Sequence, residues 1–383
     1  MLRDFALKQD VQRRINKAQA MMKEKGLGAL FLPAHGAPGM MGMAKYFTNL
    51  QLWAGPAWVV LGSEHPEPAV VLWSSYGADW NRQDTTTSWV ENPDPDALGR
   101  AIEICKEFTE KDKKIGIVNL NTNWKVGDWI RVQKELLVDG RETVDVTKDI
   151  NKMRSIKSNF EIEEIYRTGR LHCEGLERFG EVARPGVRCW DAASAAEEVL
   201  RSQGCFWGRS KYSLDLRPQT IPTPLDRRFT EDDIILFELV YTGPLGYWDE
   251  MTALFSFKPL PDDVRKQLEA HEKVIQTCAN TMKAGEKIGV MHDVASRVWK
   301  EEGFEVIGKH TPNCHSIGLD EVDGPSSWFT PNETLETNMV LSFHPSTLLK
   351  GNRAFLISDN FLVTNEGAVP LSPREWLYRK IEL

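Results

Sequence analysis

Two acidic side chains eleven residues apart, Glu238 and Asp249 in the run FELVYTGPLGYWD, can act together with two downstream histidines, His315 in NCHSIG and His344 in VLSFHP. The apolar residues around Glu238 predict a strand, and the glycine-proline turn after it predicts a hairpin whose return brings Asp249 back toward the same spot. Imidazoles arriving later from other strands would complete a cluster of the size that holds a metal ion.

Length and composition permit such a site. A chain of 383 residues is longer than a single hydrophobic core usually grows, so two domains are expected. With 41% hydrophobic and 27% charged residues it can bury ordinary cores. The net charge of -8 argues against nucleic acid and membrane surfaces as partners, because both reward excess Lys and Arg. An acidic face still suits a cation or a small polar molecule. No apolar run reaches the roughly 20 residues of a membrane span, and MLRDFALKQDVQRR lacks a basic-then-apolar signal pattern, so a cytoplasmic location is expected. The six cysteines include no CxxC pair and read as buried thiols.

The first 150 residues read as an α/β domain. An amphipathic helix over about 9 to 25 precedes the strand ALFLP, strands AWVVLG and AVVLW follow, then a helix near 97 to 110 and the strand KIGIVNL. Neither GxGxxG nor GxxxxGK[ST] follows any of these strands, which gives a nucleotide role no support. Near residue 150 the texture changes. Ser158 and Glu161 form a capping box, and Ile162, Ile165, Leu176 and Phe179 continue at helical spacing. Hairpin strands at 234 to 240 and 252 to 257, helices near 262 to 283 and 290 to 302, and strands near 338 to 343 and 354 to 364 follow, giving an α+β second domain over 151–383.

MRSIKSNFEIEEIYRTGR, ARPGV, the acidic hairpin, HSIGLD, NMVLSFHP and ISDNFLVTNEG stand in the order and spacing of the pita-bread enzymes. The second domain thus resembles creatinase, aminopeptidase P, prolidase and methionine aminopeptidase. The first resembles the smaller N-terminal α/β domain of the creatinase and prolidase branch. The resemblance implies a pita-bread C-terminal domain and a small-molecule or peptide substrate, while function itself has to be argued from the site.

The peptidases of that family hold two metal ions with Asp, Asp, His, Glu and Glu in chain order. Carried over, these positions fall on Glu238, Asp249, His315, His344 and Ser358. Ser358 stands where a carboxylate would bridge the two ions, which makes a standard two-metal centre unexpected. Asp249, His315 and His344 remain as a set for one Zn, Fe or Mn ion, with Glu238 as a fourth ligand or as a general base. A metal-free site, as in creatinase, is the alternative, with His344 bonded to Asp249 or Glu238. Two histidines that contact substrate in the family fall on Ile221 and Val322, both apolar here, which argues against aminopeptidase-style hydrolysis.

An apolar pocket lined by Ile221, Tyr247, Trp248 and Val322 suits a small molecule, and a chain with 13 Trp has aromatic faces to offer a cationic group. The chemistry expected is hydrolysis of a non-peptide carbon–nitrogen bond, with Glu238, His344 or Asp359 handling protons. Three other readings stand beside it: a lyase of a small carboxylate substrate, similar to the dimethylsulfoniopropionate lyases of this fold, an Xaa-Pro peptidase, and a non-catalytic binding protein on a disabled peptidase fold. By resemblance to creatinase, a homodimer is expected.

Overall fold

The computed structural model describes residues 2–52, 54–73, 82–93, 95–214, 226–307, 313–345, 349–351 and 356–383. The chain divides into two compact units, Met1–Arg154 and Ser155–Leu383.

In the first unit the apolar runs are continuous rather than alternating, so their strands bury both faces. Strands β1 (Leu27–His35), β2 (Pro56–Gly62), β3 (Ala69–Leu72), β4 (Val90–Glu91), β5 (Lys114–Ile117) and β6 (Thr143–Asp145) form one mixed sheet in the order β4-β3-β2-β1-β5-β6. β1 pairs antiparallel with β2 and parallel with β5. The helix Ala97–Phe108 lays Ala101, Ile102, Ile104 and Cys105 into a core with Phe31, Trp58, Val60 and Val71. Asp96 caps that helix by accepting from the Gly99 amide at 3.0 Å.

The second unit opens with the helix Asn159–Val182. Its capping box forms as the sequence predicts: the Glu161 amide donates to the Ser158 hydroxyl at 3.1 Å, and the Ser158 amide donates to the Glu161 carboxylate at 3.0 Å. The apolar stripe of this helix packs with the helix Cys189–Ser202 on a sheet in the order β14-β9-β8-β7. The strands are β7 (Gly208–Ser213), β8 (Ile234–Thr242), β9 (Trp248–Ser256) and β14 (Tyr378–Lys380). Phe179 stacks on Phe237 with ring centroids 3.9 Å apart, and Phe255 and Phe229 close around it.

A second sheet, β10 (Asn313–Ser316), β11 (Val340–His344), β12 (Asp359–Val363) and β13 (Ala368–Pro370), carries the helices Asp262–Thr281 and Val290–Glu301 in its own core with Trp299, Cys314, Leu341 and Phe361. The two sheets meet along β9, where the Trp248 amide donates to the Gly318 carbonyl at 2.7 Å and the Thr252 amide to the Ser358 carbonyl at 3.2 Å. That seam places side chains of the β8–β9 hairpin against those of β10 and β11.

The hairpin loop sets which side chains those are. Thr242 pairs with Trp248, leaving five residues, 243–247, in the loop. It is closed by the Gly243 amide on the Tyr247 carbonyl at 2.8 Å, and Gly246 adopts a positive φ of 85°. At Gly243 a Cβ would lie 2.1 Å from the Thr168 hydroxyl, so only glycine fits between loop and helix.

A candidate metal centre between two sheets

Residues directly opposite in an antiparallel pair point to the same face, and successive residues alternate. Glu238 is opposite Thr252, and Val240 is opposite Glu250, so Glu238, Glu250 and Thr252 share one face. On β10 and β11, His315 is opposite Ser342, and His344 follows two residues later on the same face. Across the seam these faces converge.

Glu250, His315 and His344 bring their donor atoms together, all three buried. The Glu250 carboxylate lies 2.7 Å from His344 Nε2 and 3.7 Å from His315 Nε2, and the two ring nitrogens are 3.3 Å apart. Nitrogen and oxygen ligands about 2.0–2.1 Å from a tetrahedral ion sit about 3.3 Å from one another, so the triangle has the size such an ion requires. His315 Nδ1 is 3.2 Å from the Ser316 carbonyl; placing its proton there leaves Nε2 with a free lone pair, the tautomer that ligates. The Ser342 hydroxyl donates to the Glu250 carboxylate at 3.2 Å and lies 3.0 Å from His344 Nε2, a contact that an ion on that nitrogen would displace. The three residues therefore fit a divalent ion.

Charge follows geometry. Burial would raise the Glu250 carboxyl, but the neighbouring His344 and His315 hold it well below the usual carboxylate range. Burial would depress the His315 imidazole, and the Glu250 charge more than offsets it, leaving the group raised.

Beside this cluster lies Glu238, 2% exposed, its carboxyl raised by burial and opposed by Lys211. Lys211 faces it across β7 and β8, with the ammonium 2.6 Å from one carboxylate oxygen. The other oxygen is 3.4 Å from the Thr252 hydroxyl, which is 2.8 Å from the Ser358 hydroxyl. Arg209, two residues before Lys211, holds Glu321 with a bidentate pair at 2.9 and 2.5 Å.

The structure brings together His315, His344 and Glu238 and turns Asp249 away. Asp249 is opposite Tyr241, on the face that packs against the helices, and its carboxylate meets the Asn360 amide and lies 3.3 Å from His172 Nδ1. The spacing of eleven carried over from the family ignores the five-residue loop, with which an odd spacing lands on opposite faces. A spacing of twelve lands on the same face, and that residue is Glu250. The loop length, readable from the turn residues, is the signal that finds Glu250.

Asp359 is also set apart, its carboxylate engaged by Arg374 and Ser372, each at 3.0 Å, and by the Asn360 amide at 2.8 Å. In this arrangement Asp359 is a buried ion-pair partner of Arg374. Tyr247 and Trp248 are each 2% exposed, and the Trp248 amide is bonded across the seam to Gly318. Val322 is 51% exposed on the loop after Gly318. Ile221 lies outside the described residues. Lys211 had no signal in the sequence; only the pairing of β7 with β8 brings it to Glu238.

Residues 163–365 match the family model described as metallopeptidase family M24. An uncharacterized peptidase of Staphylococcus aureus strain USA300 is 26% identical over 238 residues, 58% of this chain, and the match spans 64% of that relative's length. Among solved structures, the X-Pro aminopeptidase from Thermotoga maritima MSB8 superposes with a TM-score of 0.81 at 18% identity, covering 95% of this chain and 99% of that one. The Xaa-Pro dipeptidase from Bacillus anthracis gives 0.77 at 17% identity, covering 97% of this chain and 100% of its own. Dipeptidase PepE from Mycobacterium ulcerans gives 0.78 at 17%, covering 98% and 99%. With a family match over more than half its length and the α+β architecture of these neighbours, the chain belongs to metallopeptidase family M24 and has the pita-bread fold of the creatinase, prolidase and aminopeptidase P group.

Proposed function

We propose that this chain is a hydrolase of a small molecule with a non-peptide carbon–nitrogen bond, working at a single-metal centre held by Glu250, His315 and His344. The observation that carries the reading is the buried triangle of one carboxylate and two imidazole nitrogens. Ser358 supports it: by resemblance it falls on the position of the family's bridging carboxylate, and its hydroxyl is bonded to Thr252. A bound divalent ion would supply Lewis acidity and lower the pKa of water.

The chain's own residues supply the rest. Glu238 lies at the edge of the cluster, and burial moves its carboxyl up toward the range useful to a general base. Thr252 holds one of its oxygens, so the other half of the group is oriented by Lys211. Ser342 donates to the Glu250 carboxylate at 3.2 Å and so helps to orient that ligand.

A second reading, an Xaa-Pro peptidase, is favoured by the neighbours named as X-Pro aminopeptidase and Xaa-Pro dipeptidase. Metal-loaded protein assayed on small amides, amidines and ureido compounds beside Xaa-Pro dipeptides separates the two. Turnover of the former, with label from heavy-oxygen water in product, is expected, and Glu238→Gln should lower it about 100-fold or more. Turnover of dipeptides alone would favour the second reading. Unlabelled product would indicate elimination, and an unchanged rate in Glu238→Gln would remove the base assigned here.

A further inference from the structure

Glu238 is an acid buried to 2% exposure, and a buried carboxylate needs a partner for its charge. Its Oε2 makes no hydrogen bond of good geometry among the described residues, so the Lys211 ammonium, 2.6 Å away, is what answers it. Lys211 is largely enclosed as well, its side chain 20% exposed. The pairing of Lys211 with Glu238 across β7 and β8 is direct, so the backbone holds the two side chains on one face. Glu250 and His344 also act on Glu238 but belong to the adjoining cluster; the other polar groups recorded against it among the described residues are the hydroxyl of Thr252 and, bonded to that, the hydroxyl of Ser358, weak ligands for a divalent ion.

We infer that the Lys211 ammonium is a built-in cation that takes the position beside Glu238 which a second metal ion would otherwise fill, and so fixes the centre as mononuclear. The inference rests on the reading of Glu250, His315 and His344 as the ligands of one ion. A covalently attached cation keeps Glu238 charged and oriented without depending on metal supply, and it repels a second divalent ion from the same carboxylate.

The test is a titration of metal-purged protein with Zn2+ and with Mn2+, reading stoichiometry by calorimetry and thermal stability in parallel. The wild-type chain should bind one equivalent. Lys211→Met should bind a second, weaker equivalent, lose thermal stability without metal, and regain it as that equivalent binds. The double variant Lys211→Met with Glu238→Gln removes both charges, should fold without metal, and should return to one equivalent. Two equivalents in the wild-type chain, a second equivalent in the double variant, or one equivalent in Lys211→Met with unchanged metal-free stability would each overturn the inference. No binding by the wild-type chain would instead overturn the single-metal reading on which it rests.

Discussion

Asp249 and Glu250 are neighbours in one strand, and the alternation of β9 sends them to different tasks. Glu250 meets His315 and His344; Asp249 meets Asn360 and His172 behind the sheet. Glu250→Gln should therefore lower metal affinity by a large factor, whereas Asp249→Asn should keep the metal stoichiometry of the wild-type chain; calorimetric titration of both variants distinguishes them. Equal losses would put Asp249 back among the ligands. Behind the sheet, burial pushes the His172 imidazole down to about 4, so it is neutral in the fold and donates from Nδ1 to the Thr168 carbonyl at 2.9 Å. In the unfolded chain a histidine takes its proton near pH 6.5. Stability is then fully present above about 6.5 and falls as pH drops toward 4, by up to roughly 3 kcal/mol, because only the unfolded state gains the proton in that window. Urea midpoints measured between pH 7.5 and 4.5 should fall less steeply in His172→Gln; parallel curves would assign the acid limb to other groups.

At the scale of elements, the sequence was most readable where local chemistry decides. Ser158 and Glu161 announce the helix that opens the second unit, and the cap forms as predicted. Ser158→Ala should cost about 1 kcal/mol, seen as a drop in Tm of a few degrees with the fold retained. No change would mean that packing alone fixes that helix start. The strands around Glu238 and the helices after Pro261 and Gly289 were equally legible, since their apolar periodicity is strong. The helices Val126–Val138 and Thr147–Ser155 and the strand β7 were not read. β7, GRSKYS, is largely polar because one of its faces turns Arg209 and Lys211 toward acidic partners, and that pattern resembles a loop until the partner strand is known. The site suffered from the same limit: His315, His344 and Glu238 could be named from residue type and order, but Glu250 required the hairpin's loop length.

On the scale of the whole molecule, the family resemblance, carried by motifs spread over the second unit, named the fold correctly, and the neighbours reproduce it across nearly the entire chain. What the motifs do not carry is which carboxylate stands beside His315 and His344, because fold and spacing survive changes that a site's chemistry does not. A single-metal centre also predicts a global effect. An ion that binds the folded chain and not the unfolded one stabilises it by about 2.7 kcal/mol at a hundredfold excess over Kd, so removal of metal with EDTA should lower Tm, and His315→Ala should lose that response. Identical melting curves for purged and loaded protein would count against the centre.

The seam along β9 has a consequence in time as well as in space. Ser342 and Glu250, which touch within the cluster, are 92 positions apart, and His315 and His344 reach Glu250 only after the second sheet has docked on the first. Contacts that close so long a stretch of chain tend to form late. The ligands are then still apart when the folding barrier is crossed, and a bound ion acts as a latch on the finished molecule rather than as a nucleus for it. Stopped-flow refolding rates should be the same with and without Zn2+, and unfolding should slow by the full factor of the metal's stabilisation. A metal that instead accelerated refolding would show the two sheets meeting early.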